Sequence, residues 1–255
     1  MKTTRLLEKE MLNDLFTIIE SPIIMLIDYL NKEEYENAIE CLPFIIQIYN
    51  IDVGLKYAYQ MISYFIDKGI NYQLIPSITK LFSFSSMTSS TLSTTTSKDI
   101  SKERSSEKTP DEIELTTDII ELITKCLYDL LEKNMFEEIF LFINKQDPFI
   151  MKCFPTEELN TIDYKETLQK AMLFVKLHPP HHVLILGKLL LENGYYHQAI
   201  LFGVSSKLTK LLRFEKAPFY FEQLIEEFQK ENIELAQKID KFKDWSLNDE
   251  NSLLL

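Results

Sequence analysis

Apolar residues recur at helical spacing along most of this chain, three and four positions apart. One such stripe follows the Ser21-Pro22 pair, and the pattern resumes at residue 111 and continues almost to the end. Residues at this spacing share one face of an α-helix, whereas a half-buried strand shows strict alternation. Only 5 of the 255 residues are Gly, which tight turns between strands need frequently. The pattern therefore predicts an all-α fold.

Three stretches of the chain repeat one pattern, at residues 30–39, 131–140 and 191–200. Each has an aliphatic residue, a polar corner containing Asn or Gly, an aromatic residue five positions on, and then an apolar pair. This is the pattern of an α-hairpin corner, and repeated corners predict stacked antiparallel helix pairs, an α-solenoid. The corner aromatics are predicted to be core residues, because helix-pair stacks bury this position: Tyr35, Phe136 and Tyr196.

Local signals predict where several helices begin and end. The Ser21-Pro22 pair is predicted to start a helix, with the serine as cap and the proline at the first helical position. A helix from Tyr35 to Tyr49 contains Pro43, which is expected to kink it or split it in two. A third helix, Leu55–Ile66, is expected to stop at Gly69.

Composition divides the chain into four segments. Sixteen of the 28 residues 83–110 are Ser or Thr, so this segment is predicted to be a disordered insert. Helical hairpins are predicted on both sides of it, over residues 1–82 and 111–240. The second set ends in one long amphipathic helix, Phe219–Ile239. Residues 241–255 are predicted to form an acidic, flexible tail.

The net charge of −12 arises from 39 acidic and 27 basic residues. A nucleic-acid-binding protein needs a basic surface to displace counterions, so the charge argues against nucleic acid. It also argues against unaided binding to anionic membranes. No stretch reaches the about 18 uncharged apolar residues of a membrane span. Three scattered cysteines, Cys41, Cys126 and Cys153, favour a reducing compartment, and the expected location is cytoplasmic.

Clustered histidines are the strongest candidates for chemistry in this sequence. His178, His181 and His182 could hold zinc with Cys153 or a carboxylate as a further ligand. However, Pro179 and Pro180 lie among them, and no Cys-x-x-Cys or His-Glu-x-x-His spacing accompanies them. The favoured interpretation is a connector between helices. We therefore expect no metal ligands there.

Motifs for nucleophilic catalysis and for phosphate binding are also missing from the sequence. There is no Gly-x-Ser-x-Gly, Gly-x-Gly-x-x-Gly or Gly-Lys-Ser/Thr. Paired carboxylates such as Glu33-Glu34 point in different directions on a helix and indicate a solvated face. The sequence therefore predicts no catalytic residues, no cofactor and no enzyme activity.

Segments within residues 118–232 resemble motifs of one protein family. The shared features are a leucine-rich helix with Asn and an aromatic return helix, a Pro-Pro-x-His segment opening another leucine-rich helix, an Ala-Leu-x-Phe helix, and a final aromatic helix. The segments are Leu130–Phe136 with Phe140–Phe142, His178–Leu184, Gln198–Phe202 and Phe219–Asn232. They are similar to the C-terminal helical domain of the colon-cancer-associated protein family, the regulator subunit of the Mon–Ccz complex. Family members also begin with a β-propeller, for which these 255 residues have no room.

The resemblance implies a non-catalytic scaffold for the Mon–Ccz complex, a guanine-nucleotide exchange factor for a late-endosomal Rab GTPase. Nucleotide exchange would reside in the partners, and the chain would reach late-endosome or lysosome membranes only through them. Two alternatives remain open. One is a tetratricopeptide-like adaptor that binds peptides, and the other is an all-α metal-dependent hydrolase using His178, His181 and His182.

Overall fold

A computed structural model describes residues 20–88, 110–143, 145, 147–156, 162–208, 211–212 and 214–247. Within these ranges the chain forms twelve α-helices, with a short 3₁₀ turn at Tyr72–Leu74 and no strand. The helices are α1 (Pro22–Asn31), α2 (Tyr35–Ile48), α3 (Ile51–Lys68), α4 (Ile75–Thr88), α5 (Pro110–Glu132), α6 (Phe136–Ile143), α7 (Pro148–Lys152), α8 (Tyr164–Leu177), α9 (Pro180–Glu192), α10 (Tyr196–Ser206), α11 (Ala217–Glu231) and α12 (Ile233–Leu247). The predicted all-α class is confirmed.

The three predicted corners share one backbone geometry. Each places its fourth residue in the left-handed region, at φ +59° for Glu33, +51° for Asn134 and +89° for Gly194. In each corner the N–H of the following residue donates to the carbonyl five positions earlier, at 2.8 to 2.9 Å. This is the Schellman ending, which satisfies carbonyls that a helix end leaves unpaired. The sequence repeat thus corresponds to a repeated hydrogen-bonded turn.

Of the three residues at these left-handed positions, Glu33 has the least favourable backbone energy. Its Cβ crowds the backbone in this conformation, whereas Gly has no Cβ. We expect Glu33→Gly to raise the free energy of unfolding by about 1 kcal/mol. Urea denaturation followed by circular dichroism would measure it. Glu36→Gly, inside the first turn of α2, is the matched control and should lower stability by about 1 kcal/mol. A loss of stability in Glu33→Gly would contradict the proposed turn geometry.

Both predicted helix-end signals are found where the sequence placed them. Ser21 Oγ accepts from the N–H of Ile23 at 3.3 Å, with Pro22 as the first residue of α1. Gly69 ends α3 at φ +65°, and the N–H of Ile70 then donates to Phe65 O at 3.0 Å. Short-range turn chemistry therefore determines these boundaries.

Pro43 does not split its helix, contrary to one of the two predicted outcomes. α2 runs unbroken from Tyr35 to Ile48 with Pro43 inside it. Proline removes one helical hydrogen bond and crowds the carbonyl four residues earlier. The apolar side chains on both sides of the proline stay buried, so packing holds the helix together: Ala38, Ile39, Leu42 and Ile45.

Three other predicted boundaries differ from the structure. α4 continues through Thr88, six residues into the predicted insert, and Pro110 begins α5, while residues 89–109 lie outside the described ranges. The long helix over 219–239 is two helices, because Asn232 interrupts it and its side chain accepts from the N–H of Leu235. α12 then continues to Leu247, so residues 241–247 are helical rather than a flexible tail, and residues 248–255 lie outside the described ranges.

The chain divides into two compact units, which differ from the predicted segments. The first comprises Met1–Ile123 with Asp147–Cys153, and the second comprises Thr124–Gln146 with Phe154–Leu255. In the first unit α1 packs on α2 and α2 on α3. In the second, α9 packs on α10, and α10 also contacts α8 and α11. None of the described helices is long and apolar enough to cross a membrane.

Candidate functional site

The predicted histidine cluster is partly assembled in the second unit. His178 follows α8, and its ring stacks on Phe174 with centroids 4.1 Å apart. Its Nε2 contacts the Glu137 carboxylate at the start of α6. Its Nδ1 lies 3.3 Å from Nδ1 of His182 in the first turn of α9. The hydrogen bonds from His178 therefore connect α6, α8 and α9.

This cluster does not have the geometry of a three-donor metal centre. Glu137 contacts Nε2 of His178, whereas His182 faces Nδ1, on another side of the same ring. His181 is exposed, and its ring lies against that of His182. Burial, together with the neighbouring His181 and His178 rings, lowers the pKa of His182. In the part of the chain that the structure describes, no three His, Cys, Asp or Glu side chains are grouped to hold a metal ion.

The cysteines are poor nucleophiles in this environment. All three are buried, and Cys153 Sγ lies 3.2 Å from the Phe149 carbonyl in the first unit. Burial raises the pKa of Cys153, and likewise that of Cys126, to about 12. Because the thiolate is the reactive form, these thiols stay protonated and unreactive near neutral pH.

α8 has an apolar stripe at the surface, and it is hydrogen-bonded to the second corner. Asn134 is buried in that corner and accepts from the Thr167 hydroxyl of α8 at 2.9 Å. On the outer face of α8, Met172 is exposed, as are Leu173 at 53% and Leu177 at 65%. The two leucines also line a cleft of about 480 Å³ between this corner and α8. We call Met172, Leu173 and Leu177 the α8 stripe.

The third corner forms a different cleft, of about 360 Å³, between the starts of α8, α10 and α11. Its lining includes four aromatic side chains on these three helices, Tyr164, Tyr196, Phe219 and Tyr220. We call this space the aromatic cleft. The Tyr196 and Tyr220 rings lie 4.6 Å apart, and the Tyr164 ring lies 5.1 Å from that of His197. The walls of the cleft are therefore formed by aromatic rings that pack against one another.

Two amide side chains complete the aromatic cleft. Gln223 of α11 has its Oε1 3.0 Å from Nε2 of His197. Gln198 of α10 also lines the cleft, although only 1% of the residue is exposed. The Nε2 of Gln198 is buried and has no hydrogen-bond partner. A buried donor without a partner is destabilising, so this group needs an explanation.

One predicted core aromatic lies partly in this cleft instead. Tyr35 and Phe136 are buried, as predicted. Tyr196 is only half-buried and lines the cleft, whereas its neighbour Tyr195 is 3% exposed and packs against Phe154. The sequence analysis named neither Gln198 nor the cleft as a site. The doubled tyrosine at this corner was the available signal, because adjacent side chains point in different directions and need not both face the core.

Comparison of this chain with protein-family models, with curated proteins and with solved structures finds no match.

Proposed function

We propose that this chain is a non-catalytic α-helical scaffold that binds other proteins. Its expected setting is a vesicle-trafficking complex of the Mon–Ccz type, where it supports a Rab guanine-nucleotide exchange factor in late-endosome and autophagosome maturation. In this proposal the chain is cytoplasmic, and its partners recruit it to the membrane of late endosomes or lysosomes. The family resemblance of residues 118–232 supports this setting.

The α8 stripe is the observation that supports protein binding most directly. Leu173 and Leu177 lie one helical turn apart and expose most of their apolar surface beside a cleft. Exposed apolar side chains that adjoin one another on one helix face are typical of protein interfaces. Because each leucine is already partly buried, covering the rest of it contributes about 1 to 2 kcal/mol to association. We place the exchange-factor subunits on this stripe.

The test is affinity purification of the tagged full chain from cells that express it naturally. We expect both exchange-factor subunits to be recovered in amounts comparable to the chain. A double variant, Leu173→Ser with Leu177→Ser, should reduce this recovery tenfold or more, because two apolar anchors are lost. Ile233→Ser is the matched control, since Ile233 is 66% exposed but belongs to α12.

The outcomes of this experiment distinguish two questions, namely whether the chain binds the exchange-factor subunits and whether it binds them through the α8 stripe. Absence of both exchange-factor subunits would refute the trafficking proposal. Recovery that is equal in the double variant and in Ile233→Ser would show that the subunits bind elsewhere. Circular dichroism of each variant shows whether its helices remain folded.

A second function, peptide binding by a tetratricopeptide-like adaptor, is favoured by the aromatic cleft. Helical adaptors hold short peptides in grooves between their helices. The cleft offers such a groove, because aromatic side chains from three helices line it. Both functions belong to the same class, because in each of them the chain works by binding protein.

A further inference from the structure

His178 has both of its ring nitrogens engaged in polar contacts. Its Nε2 contacts the Glu137 carboxylate, and an ionised carboxylate can only accept hydrogen bonds. Nε2 therefore carries a hydrogen, and Nδ1 of the neutral ring has none. That Nδ1 lies 3.3 Å from Nδ1 of His182, which must then donate. Glu137 thus determines the tautomer of His178 and, through it, that of His182. We call His178 and His182 the histidine pair.

The contact between the two Nδ1 atoms limits how many protons the histidine pair can hold. A neutral pair has one hydrogen on Nε2 of His178 and one on Nδ1 of His182. A third hydrogen, on Nε2 of His182, gives the pair one positive charge and leaves the hydrogen bond intact. A fourth must occupy Nδ1 of His178, which is the atom that accepts. Two N–H groups then face each other without an acceptor, so the contact is lost.

The surroundings of His182 oppose the second charge. The pKa of His182 is lowered, first by burial and then by the neighbouring His181 and His178 rings, whereas Glu137 acts in the opposite direction. His182 also lies in the first turn of α9, where the helix dipole disfavours a cation. α10 packs on α9 as well, but among the described residues none of its titratable groups acts on His182. The second proton is therefore bound only in acid.

The first charge, by contrast, has a partner of opposite sign. The Glu137 carboxylate contacts the His178 ring directly. Glu138 of α6 and Lys170 of α8 line the same cleft as His178, and their charges are opposite in sign. The His178 ring also stacks on Phe174 with centroids 4.1 Å apart. His178 therefore stays in place when the pair becomes charged, and the other ring of the pair is the one that separates.

We propose that the histidine pair is a pH-sensitive switch that holds the start of α9 against α6 and α8 until both rings are protonated. In the closed state the ring of His182 also lies 4.5 Å from that of Phe140 in α6. Protonation of both rings breaks the Nδ1 contact, and the ring of His182 leaves Phe140. His178 lines the cleft beside the α8 stripe, so the switch adjoins the surface proposed to bind partners. Control of partner binding rests on the proposed function, whereas opening of the switch does not.

Two substitutions of His178 separate the roles of its ring nitrogens. The amide oxygen of asparagine can occupy the place of Nδ1, where it accepts in acid as well, because an amide takes up no proton there. Glutamine instead places its amide nitrogen near the position of Nε2, so it keeps the contact with Glu137 and has no polar atom at Nδ1. His178→Asn should therefore retain the contact with His182 in acid, and His178→Gln should lack it at every pH.

Nuclear Overhauser effects between the ring protons of His182 and Phe140 report the closed state in the full chain. In the wild-type chain they should be strong at about pH 8 and lost at about pH 4.5, on either side of the ordinary histidine range. They should persist in His178→Asn and be absent from His178→Gln at both pH values. Equal loss in acid in the wild-type chain and in His178→Asn, or persistence in both, would overturn the proposal.

The pKa of His182 provides a second measurement, from the shift of its ring Cε1–H resonance with pH. This pKa should be higher in His178→Asn than in the wild-type chain, because the variant removes a neighbouring charge and keeps an acceptor. An unchanged or lower pKa in the variant would contradict coupling within the pair.

Both measurements use the chain alone, without any partner. Failure of the switch would therefore leave the scaffold function standing. Absence of exchange-factor subunits from the cellular purification would refute the trafficking proposal without affecting the switch.

Discussion

Phe202→Ala should lower the free energy of unfolding by about 4 kcal/mol, the largest loss that we expect from a single substitution. The Phe202 side chain is fully buried in α10. Its ring meets Phe136 of α6 edge to face, with centroids 4.7 Å apart, and lies 5.6 Å from the ring of Phe174 of α8. Truncation removes both ring contacts and leaves a cavity that the surrounding helices cannot close.

Urea denaturation monitored by circular dichroism measures this loss. The control is Phe219→Ala, which truncates the same residue type at a position that is 59% exposed. It should change the free energy of unfolding by less than about 1 kcal/mol. Similar losses for both variants would mean that Phe202 does not occupy a closely packed core.

Pro43→Ala should raise the free energy of unfolding by about 2 kcal/mol, the largest gain that we expect. Pro43 is exposed within α2, so no packing is lost when its ring is removed. Proline in a helix interior costs about 3 kcal/mol relative to alanine, and restoring the N–H allows a bond to the Ile39 carbonyl. Part of the gain is offset, because alanine gives the unfolded chain more conformational freedom.

Chemical denaturation of Pro43→Ala and Pro180→Ala in parallel tests this reasoning. Pro180 is also exposed, but it is the first residue of α9, where the missing N–H costs nothing. Pro180→Ala should therefore lower stability slightly, by less than about 1 kcal/mol. Destabilisation by Pro43→Ala would show instead that the proline ring makes a necessary contact in α2.

Much of the fold follows from patterns that lie close together in the sequence. Helical spacing predicts the all-α class, because apolar residues on one helix face must be three and four positions apart. The corners were predictable from their repeated order of residues, and each has the same left-handed turn. The caps at Ser21 and Gly69 depend only on adjacent residues. Short-range geometry is sufficient for all of these features.

Helix continuity was less predictable, because burial competes with local preference. Pro43 lies within an unbroken helix whose apolar side chains are buried around it. Asn232 interrupts a stretch whose apolar spacing continues past it, and its side chain caps the next helix. Apolar spacing alone does not distinguish one long helix from two that share a core. That distinction depends on where the second helix packs.

The candidate site depended almost entirely on tertiary structure. Tyr164, Tyr196 and Phe219 are far apart in sequence, and they meet because three helices begin at one place. Tyr195 rather than Tyr196 faces the core, and its ring packs there against Phe154, which lies beyond the corner pattern.

The sequence by itself determined the helical class, the hairpin corners and the charge that argues against nucleic acid, because these depend on composition and short-range spacing. Only the tertiary structure decided that Gln198 is buried beside a cleft without an acceptor, and that Leu173 and Leu177 remain exposed. Burial and hydrogen-bond pairing depend on which helices pack together, and the spacing within one helix does not specify its neighbours.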